Sequence, residues 1–132
     1  IDAEHVEEHP MHEEWCSMGS GAIEAVRRTR AKGGRVIPVG TTAARTIEAY
    51  APAVEAGGPA PEELRTRLLI TPGYTFRWTD GLLTNFHLPR STLLALVGAL
   101  LEGSVDAVKR AYAHAAAQRY RFYSYGDACL IL

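Results

Sequence analysis

A chain of 132 residues is long enough for one compact domain and too short for two to be expected. Apolar residues make up 47% and charged residues 22%, an ordinary balance for a globular domain, and the only two cysteines, Cys16 and Cys129, exclude a disulfide scaffold and suit a reducing cytoplasm. Lys and Arg total 14 against 15 for Asp and Glu, so the net charge of −1 decides nothing about partners; no apolar run approaches membrane-spanning length, and no membrane partner is expected.

The distribution of charge says more than its sum. Residues 1–24 carry seven acids and no Lys or Arg, whereas 27–35 (RRTRAKGGR) carry five basic residues. The chain opens on Ile1 rather than Met and on a polar, acidic run, which predicts a piece of a longer polypeptide. His5, His9 and His12 lie in that run, and the first two share a helical face if the segment is helical. Pro10 disturbs such a helix and no cysteine completes a ligand set, so a solvated lead-in is expected rather than a metal site. His12 and Glu14 beside Trp15 stand out as acid–base candidates, because an aromatic wall shifts a histidine pKa readily.

From Ser20 the pattern is helical. Ser20 can cap, Ala22, Ile23 and Val26 give an apolar face, and Arg27, Arg28, Arg30 and Lys32 fall where the helix dipole favours cations. Gly33-Gly34 stops it. RVIPVG (35–40) reads as a buried strand, with Pro38 arguing for an edge or bulge. A helix follows with Thr41 or Thr42 as cap, Ile47 and Ala51 inward and Pro52 at its end. The junction Gly40-Thr41-Thr42 aims backbone N–H groups and hydroxyls at a point where a carboxylate or phosphate can sit, with Arg45 one turn on.

Residues 52–66 read as a surface connection, 68–70 as a short strand, and TPGY (71–74) as a Pro-Gly turn. YTFRW (74–78) alternates as a half-covered strand does, and Thr79-Asp80-Gly81 reads as the hairpin turn returning it as LLTNF. Asn85 and His87, two apart, point to one side of an extended segment. After Pro89, Ser91 caps TLLALVGALL, whose apolar circumference predicts a buried helix. Ser104 caps a further helix with Val105, Val108, Tyr112 and Ala115 or Ala116 inward, Lys109 and Arg110 outward, and His114 on the surface. The chain closes with Arg119 and Arg121 among tyrosines, then Gly126-Asp127 and an apolar run. The densest stretch is 80–94 (DGLLTNFHLPRSTLL), a switch between structural states with polar side chains left at the switch. Helix, strand and helix in succession predict an α/β domain in which a mixed sheet is flanked by helices.

Four stretches go further: MHEEW at 11–15, GGRVIPVGTTAARTIEA at 33–49, PGYTFRWTDGLLTNFHLPRSTLLALV at 72–97 and YRFYSYGDACLI at 120–131. In this order they closely resemble the C-terminal part of the S-adenosylmethionine:tRNA ribosyltransferase-isomerases of queuosine biosynthesis. The family's upstream part, including an inserted β-barrel domain, has no counterpart here. The resemblance implies a cytoplasmic enzyme, monomeric as the family is, that moves the ribosyl part of S-adenosylmethionine onto 7-aminomethyl-7-deazaguanine at the tRNA wobble position. The product is epoxyqueuosine, with adenine and methionine released. It implies S-adenosylmethionine as co-substrate, no separate cofactor or metal, and tRNA as partner.

Carried over motif by motif, the resemblance assigns His12, His87 and Asp127 as proton-handling or ribose-orienting groups. It assigns Glu14, Gly40, Thr41, Thr42, Arg45, Tyr74, Asp80, Asn85, Ser91, Arg121, Ser124 and Tyr125 to substrate binding. Departures are modest. Glu13 stands where the family commonly has serine, Pro38 replaces a small residue, Cys129 replaces Met, and Trp78-Thr79 replaces Val-Val before the aspartate. They leave room for a paralogue, or an inactive fragment, acting as an RNA- or nucleoside-binding module.

Overall fold

The computed structural model describes residues 13–85, 92–100, 105–121 and 127–132. The elements in chain order are β1 (Glu14–Cys16), α1 (Ser20–Ala31), α2 (Thr41–Glu55), β2 (Leu64–Thr66), β3 (Leu82–Asn85), α3 (Thr92–Leu100), α4 (Val105–Ala117) and β4 (Ala128–Ile131).

Helix α1 forms where the pattern predicts it, burying Ile23 and Val26 three apart and carrying Arg28 and Arg30 in its last turn. Its N-cap is Gly19 rather than Ser20, with no side-chain cap. Its end is a Schellman motif: Gly33 (φ 73°) donates to Arg30 O at 3.0 Å and Gly34 to Thr29 O at 2.9 Å, which needs a residue tolerant of the left-handed region. Helix α4 ends the same way without a glycine. Arg119 takes φ 64°, donating to Ala116 O at 3.1 Å while Tyr120 donates to Ala115 O at 3.0 Å. In α4 Ala115 is buried, Ala116, Lys109, Arg110 and His114 are exposed, and Tyr112 is half-buried.

Helix α2 holds the fold together. Ala44 joins a core cluster with Ile70, Leu82, Leu96, Val97 and Ile131, between helices and the β3–β4 pair. Tyr50, Ala51 and Val54 join the second cluster, with Ile23, Val26, Val36 and Trp78. One helix thus feeds two apolar clusters from two of its faces, and each fully buried aliphatic side chain contributes about 1.5–3 kcal/mol. Pro52 does not end α2; the helix runs through it to Glu55 and closes at Gly57, φ 86°. The stretch expected as a plain surface connection therefore holds the last turn of α2 and all of β2, and Tyr50 Oη ties it back by donating to Pro61 O at 2.9 Å.

Two separate antiparallel pairs make up the regular sheet structure among the described residues: β1 with β2, and β3 with β4. The mixed character comes from a single parallel bridge, Val39 to Leu83, which lays the end of the 35–40 segment along β3. That segment does not become a regular strand. Pro38 has no N–H to give, and Gly40 (φ 95°) turns the chain out of the β region two residues later. What pairing exists runs through Leu83 N to Pro38 O (3.1 Å) and Gly40 N to Leu83 O (2.7 Å).

The expected hairpin over 74–86 is replaced by a different partnership. β3 has Val39 on one edge and β4 on the other, which leaves no edge for 74–78, and that segment runs irregularly, as do 68–70. Asp80 is not at a turn. Its N–H donates to Val36 O and its Oδ2 accepts from Val36 N, both at 2.8 Å, clamping 80 against 36. The Pro-Gly turn is present: Tyr74 N donates to Thr71 O at 3.0 Å with Gly73 at φ 99°, as a type II turn requires. At Gly81 a Cβ would stand 2.6 Å from Ile131 O, so the end of β4 approaches closer than any side chain allows. No helix among the described residues is long and apolar enough to cross a membrane.

Candidate functional site

The candidate residues that the structure describes divide into one group gathered at an end of the β3 sheet and two residues elsewhere. The parallel bridge sets the direction. Residues 38–40 run alongside β3, so the start of α2 and the C-terminal residue of β3, Asn85, emerge at the same end. β4 runs the other way, and its first residue, Ala128, lies opposite Asn85. Asp127 therefore joins Asn85 and Gly40-Thr41-Thr42 at that end. The carboxyl ends of parallel strands are where open α/β sheets usually place ligands.

Gly40 is the N-cap of α2 in place of Thr41 or Thr42, and no side chain caps the helix. Its φ of 95° and ψ of 151° form a conformation that side-chain-bearing residues avoid. Thr41 is buried and Thr42 exposed. An uncapped helix start with its dipole positive is suited to an anion. One turn on, the guanidinium of Arg45, 13% exposed, pairs with the carboxylate of Glu14, 51% exposed. Glu14 reaches Arg45 because Glu14 and Cys16 share the inward side of β1, while Trp15 between them points out, 62% exposed, under the guanidinium of Arg65 at 4.7 Å. Burial pushes the Cys16 thiol up, and its Sγ donates to Leu64 O at 3.4 Å. A protonated, engaged thiol of this kind is a structural group rather than a nucleophile.

Asp127 is held in place by Arg121. Asp127 N donates to Arg121 O at 2.8 Å, Arg121 N donates to Asp127 Oδ2 at 2.7 Å, and the guanidinium lies 3.6 Å from Oδ1. The pair ties the ends of the 121–127 stretch together and fixes the carboxylate one residue before Ala128, the partner of Asn85 in the sheet. The Cys129 thiol, opposite Thr84 in the same sheet, is pushed up by burial.

Tyr74 and Asp80 lie away from this end. Asp80 is clamped to Val36, four residues before Gly40 and so about 13 Å along an extended chain. Tyr74 packs edge-to-face on Phe76 with centroids 5.1 Å apart, and its Oη donates to Glu48 Oε1 at 3.0 Å. Burial, with the Glu48 carboxylate adding to it, pushes the Tyr74 hydroxyl up to about 12. His12, His87, Ser91, Ser124 and Tyr125 lie outside the described residues, as do His5 and His9. Among the described residues no cluster of His, Cys, Asp and Glu could hold a metal ion.

Sequence reasoning missed Glu48. It is 1% exposed, and its carboxylate accepts five hydrogen bonds. Oε1 takes Tyr74 Oη (3.0 Å) and Arg77 N (2.7 Å); Oε2 takes Trp78 N (2.9 Å), Thr79 N (3.0 Å) and Thr79 Oγ1 (3.0 Å). A signal existed: residues 41, 44, 48 and 51 form the inward stripe of α2, and Glu48 is the one charge on it.

The model of the family described as "Queuosine biosynthesis protein" matches residues 1–131. Proteins described as S-adenosylmethionine:tRNA ribosyltransferase-isomerase are 50% identical over 99% of this chain in Maricaulis maris, and 52% identical over 99% of it in Parvibaculum lavamentivorans. The chain spans 36% of the length of each of these relatives. The crystal structure of S-adenosylmethionine tRNA ribosyltransferase from Thermotoga maritima matches with a TM-score of 0.74 at 44% identity, covering 89% of this chain and 40% of that one. The chain belongs to the queuosine biosynthesis protein family.

Proposed function

We propose that this chain supplies part of the active site of an S-adenosylmethionine:tRNA ribosyltransferase-isomerase. In this reading the ribosyl group of S-adenosylmethionine passes to the aminomethyl group of 7-aminomethyl-7-deazaguanine at the tRNA wobble position, giving epoxyqueuosine, and adenine and methionine leave. The supporting observation is the gathering, at one sheet end, of an uncapped helix start, an Arg–Glu ion pair, Asn85 and the fixed carboxylate of Asp127. These match the chemistry of a sulfonium amino acid. The helix start and Arg45 suit its α-carboxylate, Glu14 suits its ammonium or sulfonium charge, and Asn85 and Asp127 suit ribose hydroxyls. His12 and His87 are the proton-handling residues in this reading, and Tyr74 acts through the Glu48 carboxylate and Asp80 through the backbone of Val36. The chain alone, at 36% of the relatives' length, is expected to be inactive in the cytoplasmic reaction.

The test is adenine release from S-adenosylmethionine and tRNA bearing the aminomethyl base, by a polypeptide of the relatives' full length that carries this chain. Arg45→Ala should raise the KM for S-adenosylmethionine at least tenfold, the cost of about 1.4 kcal/mol of lost binding. Tight tRNA binding without any adenine release would favour the second reading, an RNA- or nucleoside-binding module.

A further inference from the structure

The basic run closing α1 has a local explanation, since cations near a helix C-terminus interact favourably with its dipole. That explanation requires neither that the guanidinium groups stay unpaired nor that they line a groove. Both are the case. Among the described residues, Arg27, Arg28 and Arg30 make no ion pair and no side-chain hydrogen bond. Elsewhere arginines near carboxylates are engaged: Arg45 with Glu14, Arg65 with Glu13, Arg77 with Glu55 and Arg121 with Asp127.

Arg27 and Arg30, three apart and so on one helix face, form a wall of a surface groove of about 360 Å³. The facing wall is Val54, Glu55 and Gly57 at the end of α2, with Trp78. The acid in that wall is already neutralised: Glu55 accepts from Arg77 Nη1 at 2.8 Å and from Trp78 Nε1 at 3.1 Å. Lys32 and Arg35 extend the positive surface beyond the helix, and no acid interrupts residues 27–35. The groove is therefore a concentration of unspent positive charge.

Its position decides what kind of anion it suits. α2 runs from the candidate site at Thr41 to the groove at Glu55, fifteen residues, or about 20 Å at 1.5 Å per residue. A nucleoside or a single S-adenosylmethionine cannot reach from one to the other. A folded polynucleotide can, and contacts to its phosphates position it without reading its sequence. Resting on the RNA-modifying reading above, we propose that Arg27 and Arg30, with the flanking basic residues of α1, form a docking surface for the phosphate backbone of a structured RNA. The surface holds the RNA while the distant sheet end addresses one nucleotide.

The test is the salt dependence of binding between this chain and an unmodified tRNA transcript, by fluorescence anisotropy from 50 to 200 mM NaCl. Removing two phosphate contacts with Arg27→Gln and Arg30→Gln should make the slope of log K against log salt shallower by roughly 1.4–1.8 and weaken binding at the lowest salt at least tenfold. Arg27→Lys with Arg30→Lys keeps the charge and should keep most of the slope. Lys109→Gln with Arg110→Gln removes the same charge from the exposed side of α4 and should leave the slope alone. An unaltered circular dichroism melt confirms that each variant folds. Equal losses in the α4 pair, or a wild-type slope in the α1 pair, would overturn the surface while leaving adenine release as the separate test of the reaction. A wild-type chain that fails to bind the transcript overturns it as well.

Discussion

Replacing Glu48 by glutamine keeps the shape of the side chain and removes its charge, and the structure sets the cost. The carboxylate serves three main-chain N–H groups and two hydroxyls, split two on Oε1 and three on Oε2. A glutamine amide must turn its NH2 toward one side. The better choice faces it to Tyr74 Oη, which can rotate to accept, and to Arg77 N, which cannot. One buried N–H is then orphaned, at about 1–3 kcal/mol, and the remaining bonds lose their charge assistance. Glu48→Gln should therefore destabilise by about 2–4 kcal/mol. Glu48→Ala orphans all three N–H groups and leaves a cavity, roughly 3–9 kcal/mol, comparable with the whole stability of a small domain.

Urea unfolding followed by tryptophan fluorescence suits the measurement. Trp78 is 3% exposed and bonded to Glu48 through its own N–H, while Trp15 is 62% exposed, so the change on unfolding comes mainly from Trp78. At a slope of about 1.5 kcal/mol per molar urea, the glutamine variant's midpoint should fall by roughly 1–3 M. A midpoint within about 0.3 M of wild type would refute the reasoning, because it would mean that the five bonds need no carboxylate.

The Tyr74 hydroxyl, raised to about 12, holds its proton in the folded chain after it has lost it in the unfolded one. The folded state then binds more protons between about pH 10 and 12, so its contribution is complete below pH 10 and is lost as pH rises toward 12; Tyr74→Phe should flatten that part of a stability–pH curve. Gly81→Ala places a methyl 2.6 Å from Ile131 O, so β4 must shift, and thermal melts should show about 1–3 kcal/mol of destabilisation. Arg119 occupies the left-handed closing position of α4, where Arg119→Gly relieves a cost of about 1–2 kcal/mol and should raise the melting temperature.

What was legible in the sequence was what neighbours decide. α1 with its Gly-Gly stop, the Pro-Gly turn at 71–74 and the inward Ala115 of α4 follow from contacts within a few residues. Sheet pairing was not legible, because the partners are far apart: β1 meets β2 about fifty residues on, and β3 meets β4 about forty-six. Asp80-Gly81 carries a hairpin signature, but the long-range clamp to Val36 and the close approach of β4 use the same two residues for other ends. Gly40 belongs, by sequence, to an anion-binding junction, and its φ of 95° gives the physical reason that glycine stands there. Glu48 is hard to read from sequence because a glutamate in a helix looks like surface until its place on the apolar stripe is counted.

The Glu14–Arg45 pair depends on very little regular structure. β1 has three residues, held to β2 by Glu14 opposite Thr66, Trp15 opposite Arg65 and Cys16 opposite Leu64. Side chains alternate along a strand, so a slip of one residue would turn Glu14 outward and Trp15 into the core. Two features oppose the slip: the Arg65 guanidinium over the Trp15 ring on the outer side, and Cys16 packed against the second apolar cluster, its Sγ donating to Leu64 O, on the inner. The outer aromatic–cation contact thus fixes the register that delivers the inner carboxylate to the start of α2. Trp15 and Arg65 belong to the site's support although neither faces it.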